Sequence, residues 1–228
     1  IDETNRRFFV SDHGKLKIFA YDLDSVLTTP EYQPSVKIDM KKKLFPDDYL
    51  YLNDTLCIAK IIEPIGNNDY KPSVARWNMA TGEINPMPYE YPDLKKVRFI
   101  YTASAEHQLY VQCYTQYDLM TICDFNGNLK CNIYGPKWVN EKTQTQHYSL
   151  GVEFCGDKIL ALYSGGDHRT DAYYPTKFLV FDLNGNYLKT LETGYMITDF
   201  CYDKENNRLI INLNDEIQFA YLDLEGII

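Results

Sequence analysis

One short motif recurs along the chain and constrains the fold more than any other feature. An apolar, strand-like run ends in an acidic or amide residue followed by turn formers. Phe178-Leu179-Val180-Phe181-Asp182-Leu183-Asn184-Gly185-Asn186 is one copy, and Thr121-Ile122-Cys123-Asp124-Phe125-Asn126-Gly127-Asn128 is another. Phe219-Ala220-Tyr221-Leu222-Asp223-Leu224-Glu225-Gly226 and Val74-Ala75-Arg76-Trp77-Asn78-Met79-Ala80-Thr81-Gly82 follow the same pattern. Ile18-Phe19-Ala20-Tyr21-Asp22-Leu23-Asp24-Ser25 is a degenerate copy without the glycine. The markers Asp22, Asn78, Asp124, Asp182 and Asp223 are 56, 46, 58 and 41 residues apart. Repeats of this length, each holding several short strands, are the spacing of propeller blades.

The residues around each marker support that reading. Asn126-Gly127 and Asn184-Gly185 supply the positive φ that a tight hairpin needs. Two further strand candidates precede each marker: Val97–Thr102 with Gln108–Tyr114, Ser149–Phe154 with Lys158–Tyr163, and Ile197–Tyr202 with Arg208–Leu213. Three strands before the turn and one after it make a four-stranded antiparallel meander. Helical periodicity is nowhere sustained, so little helix is expected. The fold expected is all-β, a β-propeller of four-stranded antiparallel blades. Five blades are visible, at roughly 1–45, 46–95, 96–145, 146–194 and 195–228, in one domain spanning 1–228. In the first, Arg7–Val10 and Lys15–Tyr21 read as second and third strands. Its innermost strand is expected before Ile1, which gives six blades if an N-terminal portion is missing.

These endings carry a family likeness. Val180-Phe181-Asp182-Leu183-Asn184-Gly185-Asn186 and Ala220-Tyr221-Leu222-Asp223-Leu224-Glu225-Gly226 resemble the blade ends of the TolB-like six-bladed β-propellers of Bacteroidetes. Asp203-Lys204-Glu205-Asn206-Asn207-Arg208-Leu209-Ile210-Ile211 is similar to the strand start of NHL-type repeats. The likeness implies an exported protein, periplasmic or at the cell surface, lipid-anchored through a portion preceding Ile1. It implies no reaction and no catalytic residues.

Charge narrows the function classes. The net charge of −9 argues against nucleic acid, or an anionic membrane, as the main partner. The longest near-apolar stretch, Leu56–Ile62, contains Lys60 and is too short to be a transmembrane segment. The 45% apolar content is enough to build a core, and the 20 Tyr favour strands. The cysteines 57, 113, 123, 131, 155 and 201 form no CxxC pair and no zinc-ligand spacing. They read as buried free thiols; a Cys113–Cys123 disulfide across one hairpin is the alternative.

The sequence contains no nucleophile elbow and no phosphate-cradling glycine loop. No catalytic residue, metal site or cofactor is expected. The acids at positions 22, 124, 182 and 223 occupy the same slot in successive blades, which points to side chains capping turns. His13 and His107 read as turn residues. Connections between second and third strands, and between blades, emerge on one side of a propeller. Three insertions fall there: Glu63–Pro72, Gly135–His147 and Ser164–Pro175. They mix aromatics with Asn, Asp, His and Arg, a chemistry suited to a polar, stacking surface. The candidate ligand- or partner-binding residues are Asn67, Asn68, Tyr70, Trp138, His147, Asp167, His168, Arg169, Tyr173 and Tyr174. The function expected is a non-enzymatic binding or scaffold propeller that recognises a protein, peptide or glycan. The alternative is a glycan- or lactone-acting hydrolase, with Glu153, Asp199 and Asp203 near the inner strands as its acids.

Overall fold

A computed structural model describes residues 1–40, 44–67, 69–92, 94 and 97–228. The chain divides into two compact units, Ile1–Glu90 and Tyr91–Ile228.

The first unit holds two antiparallel sheets. Strands β1 (Arg7–Asp12), β2 (Lys17–Asp22) and β3 (Ser35–Asp39) pair in chain order. Strands β4 (Pro46–Asn53), β5 (Leu56–Gly66), β6 (Asp69–Asn78) and β7 (Glu83–Pro86) form the second sheet, again in chain order. Ile18, Met40, Cys57, Ala59, Trp77 and Met79 form one buried core cluster. Asp22 ends β2, as its sequence slot requires, yet no hairpin follows. Its carboxylate accepts the Ser25 N–H at 2.7 Å and starts a six-residue helix, α1 (Leu23–Thr28). The missing Asn-Gly pair explains this: without a residue that tolerates positive φ, the chain takes an N-capped helical turn.

The second unit holds three sheets, each a meander in chain order. They are β8 (Phe99–Ser104) to β11 (Leu129–Tyr134) through β9 (Leu109–Tyr114) and β10 (Leu119–Asp124), then β12 (Thr145–Cys155) to β15 (Tyr187–Glu192) through β13 (Lys158–Asp167) and β14 (Lys177–Asp182). The last is β16 (Ile197–Asp203), β17 (Arg208–Leu213) and β18 (Phe219–Asp223). Strand β13 packs toward both neighbouring sheets, with Ile159 and Ala161 in one core and Leu160 and Leu162 in the other. That is why its sequence is a continuous apolar run rather than an alternating one. Each such Ile or Leu side chain contributes about 1.5–3 kcal/mol on full burial.

Among the described residues, five successive antiparallel meanders, three of four strands and two of three, are the blades of an all-β propeller. Outside the first copy, the repeated acid or amide does the same work. Asp124 accepts N–H groups from Asn126 and Asn128 at 2.8 and 2.9 Å, and Asp182 accepts from Asn184 and Asn186 at 2.9 and 2.8 Å. Asn78 and Asp223 cap their turns in the same way. Gly185 sits at φ +85°, a backbone that only glycine adopts without strain.

Two expectations are revised. Glu63–Pro72 is no loop: β5 and β6 extend through it as a hairpin that pairs Gly66 with Asp69. All six thiols are free as expected and the alternative Cys113–Cys123 bridge does not form, but Cys201 is exposed and Cys131 half-buried rather than buried. Cys113 lies opposite Met120 and Cys123 opposite Tyr110, so the register keeps the two sulfurs apart.

Candidate functional site

The side chains best placed for recognition gather in the second unit, where the β9–β10, β11–β12 and β13–β14 connections emerge together. Asp118 organises them. It sits at the end of the β9–β10 connection and is 1% exposed. Its backbone carbonyl accepts from the Gly135 N–H at 2.8 Å, and its Oδ2 accepts from the Lys137 N–H at 2.9 Å. A Cβ on residue 135 would lie 2.2 Å from the Asp118 carboxylate, so only glycine lets the chain pass so close. The turn Gly135–Trp138 then closes with Trp138 N–H on the Gly135 carbonyl at 3.1 Å.

This turn places Trp138 in an aromatic cluster. Its ring lies 5.1 Å from Tyr134, 5.6 Å from Tyr91 and 6.3 Å from Tyr117, all tilted or edge-on. Tyr134 is 50% exposed and Trp138 and Tyr91 are half-buried, so the cluster offers ring surface to solvent. Rings that pack on one another lose little entropy on binding, which suits them to stacking against a ligand.

Beside the cluster lies a cleft of about 380 Å³ whose lining includes Asp118, Tyr134, Tyr148, Tyr163, Lys177 and Tyr187. Beneath it is a buried polar set. The His147 Nδ1 lies 3.3 Å from the Tyr163 hydroxyl and 3.6 Å from Asp118 Oδ1. The Tyr163 hydroxyl donates to Asp118 Oδ2 at 3.3 Å. Among the described residues, Asp118 Oδ1 has no hydrogen-bond partner. Burial pushes the His147 pKa below the usual imidazole range, against the opposing pull of Asp118. Burial also raises the Tyr163 phenol, with the Asp118 charge adding to it.

The structure separates the sequence-derived candidates. Trp138 stands in the exposed cluster. His147 is 1% exposed and supports the floor from within β12. Asp167 is tied to Arg169, whose Nε and guanidinium nitrogen donate at 3.0 and 2.6 Å, and this bonding holds its carboxyl well below the usual range. The His168 ring and backbone nitrogens sit 2.8 and 3.1 Å from the Gln144 carbonyl. The Tyr173 and Tyr174 rings pack against each other with centres 4.2 Å apart, tilted by 30°. Asn67 and Tyr70 lie at the exposed β5–β6 hairpin of the first unit, and Asn68 lies outside the described residues. The organising residue, Asp118, is absent from the candidates that the sequence suggests, as are Tyr91, Tyr117 and Tyr134. Its only sequence signal is an acid at a strand start, where the marker acids all sit at strand ends.

The acids of the alternative reading are occupied locally. Glu153 accepts the Tyr202 N–H at 2.8 Å, Asp199 accepts the Phe200 N–H at 2.8 Å, and Asp203 holds Asn206 and Arg208. Among the described residues no group of three His, Cys, Asp or Glu is placed to hold a metal ion, and no helix is long and apolar enough to cross a membrane.

No family model matches the chain, and no curated protein matches it. Solved structures do. Two crystal structures of the extracellular domain of BT4673 from B. thetaiotaomicron align over 97% and 96% of the chain, with TM-scores of 0.61 and 0.58 at 11% identity. The tricorn protease aligns over 99% with a TM-score of 0.60 at 11% identity. The chain spans about a quarter of each of these structures, covering 27%, 26% and 25% of their lengths. Identity this low shows a shared fold and nothing about activity.

Proposed function

We propose that the chain is a non-enzymatic binding or scaffold propeller of an exported protein, engaging its ligand on the connection side of the third and fourth blades. The observation that carries this reading is the solvent-facing Tyr91–Tyr134–Trp138 cluster beside a cleft with a buried carboxylate. Aromatic surface next to a concave, mostly apolar site is the usual composition of a recognition site. The aligned part of BT4673 belongs to an extracellular domain, which supports the exported location. Membership among TolB-like propellers, a sixth blade and a lipid anchor belong to the same proposal and rest on the blade endings. The ligand class at this level is protein, peptide or glycan.

The test compares the intact chain with Trp138→Ala, each immobilised and challenged with panels of peptides and oligosaccharides. Binding by the intact chain and its loss in Trp138→Ala, with Asn126→Ala on the opposite hairpin turn still binding, is the expected result. Ligand capture that survives Trp138→Ala overturns the assigned site.

A further inference from the structure

The cleft beside Trp138 is specific enough to name a ligand class, and this step rests on the binding reading above. Its charged lining carries both signs. Asp118 is an acceptor whose Oδ2 is engaged by Lys137 and Tyr163 while Oδ1 has no donor. Lys177 is half-buried on the same lining, with Nζ 5.7 Å from the centre of the Tyr163 ring. A buried carboxylate oxygen without a hydrogen bond is costly, so a ligand that supplies a donor is favoured there. An anionic ligand meets Asp118 and a cationic one meets Lys177, whereas an uncharged group that both donates and accepts satisfies the two. Two tyrosines of the lining, Tyr134 and Tyr187, are exposed, at 50% and 57%, and Thr190 adds a hydroxyl beside them. Such rings cover the C–H face of a flat, polyhydroxylated ring. A volume of about 380 Å³ lies at the small end of ligand pockets.

We infer that this cleft takes one neutral pyranose ring of a saccharide. Its hydroxyls bridge Asp118 and Lys177, and its C–H face lies on the tyrosines that continue into the Trp138 cluster.

Tryptophan fluorescence tests this directly. Trp77 is fully buried in the first unit, so a ligand-dependent change reports Trp138. The probes are the methyl glycosides of glucose, galactose, mannose, xylose and N-acetylglucosamine, with an acetylated, amidated tetra-alanine peptide and its tetra-lysine counterpart as non-saccharide probes. At least one glycoside is expected to change Trp138 emission saturably. Lys177→Ala and Asp118→Asn are each expected to weaken it at least tenfold with the melting temperature retained. If Asp118→Asn does not fold, Lys177→Ala at this half-buried position carries the test. Peptide binding that is lost in Trp138→Ala, without any glycoside binding, overturns the saccharide assignment and leaves the binding reading standing. No binding by either kind of probe overturns both. Glycoside binding unchanged in Lys177→Ala also overturns the assignment.

Discussion

Asp118 ties the β9–β10 and β11–β12 connections to strands β12 and β13, and Gly135 is the residue that lets it. Replacing Gly135 by Ala puts a methyl 2.2 Å from the carboxylate, so the turn or the buried acid must shift. The expected cost is about 1–3 kcal/mol, read from denaturant unfolding, with weakened ligand binding because Trp138 loses its turn. His147 makes a second prediction. Burial lowers its folded pKa, so below about pH 6.5 the unfolded chain takes up a proton that the folded chain refuses. The stabilisation from a neutral imidazole is complete above that pH and is lost as pH falls toward the folded value. The groups facing the ring are Asp118, Tyr163 and Thr143, with Lys137 nearby. Melting temperature is expected to fall on acidification from about pH 7 to about pH 5.5, and His147→Gln is expected to flatten that fall. Identical slopes for the two proteins contradict the assignment.

At the scale of single elements, the hairpin turns repay the same reasoning. Asp124 holds its turn through two backbone N–H groups and the Asn128 amide. Asp124→Ala is expected to cost about 1 kcal/mol, a drop of about 2–4 °C in melting temperature, and to leave ligand binding unchanged because the turn is on the opposite side. Much of this level is legible in sequence, since local chemistry dictates it: an acid, an Asn-Gly pair and an apolar run specify strand, turn and register together. Asp22 shows where local signals mislead, because without glycine the same acid starts a helix. The β5–β6 hairpin shows another limit. Pro64 and Pro72 suggest a loop, but both fit the pairing of β5 with β6. The site itself was half legible. Trp138 sits in a loop whose composition announces it, while Asp118 matters only through contacts 17 to 45 residues away, with Gly135, Lys137, His147 and Tyr163. No local pattern encodes those contacts.

Within the second unit, the meanders place short, stereotyped turns on one side of each blade and irregular connections on the other. The short turns are fully committed to their own backbone, as the Asp124 and Asp182 caps show. The irregular side carries the unspent chemistry: ring surface at Trp138 and Tyr134, a carboxylate oxygen without a donor, and Lys177. Recognition on that side is the central claim. Hydrogen–deuterium exchange of the full chain, free and saturated with the glycoside that changes Trp138 emission, tests it most directly. The account predicts protection in peptides covering Leu129–His147 and Tyr163–Lys177, with the turns at Asn126–Asn128 and Asn184–Asn186 unchanged. Protection at those turns, with Leu129–His147 exchanging as in the free chain, would contradict it.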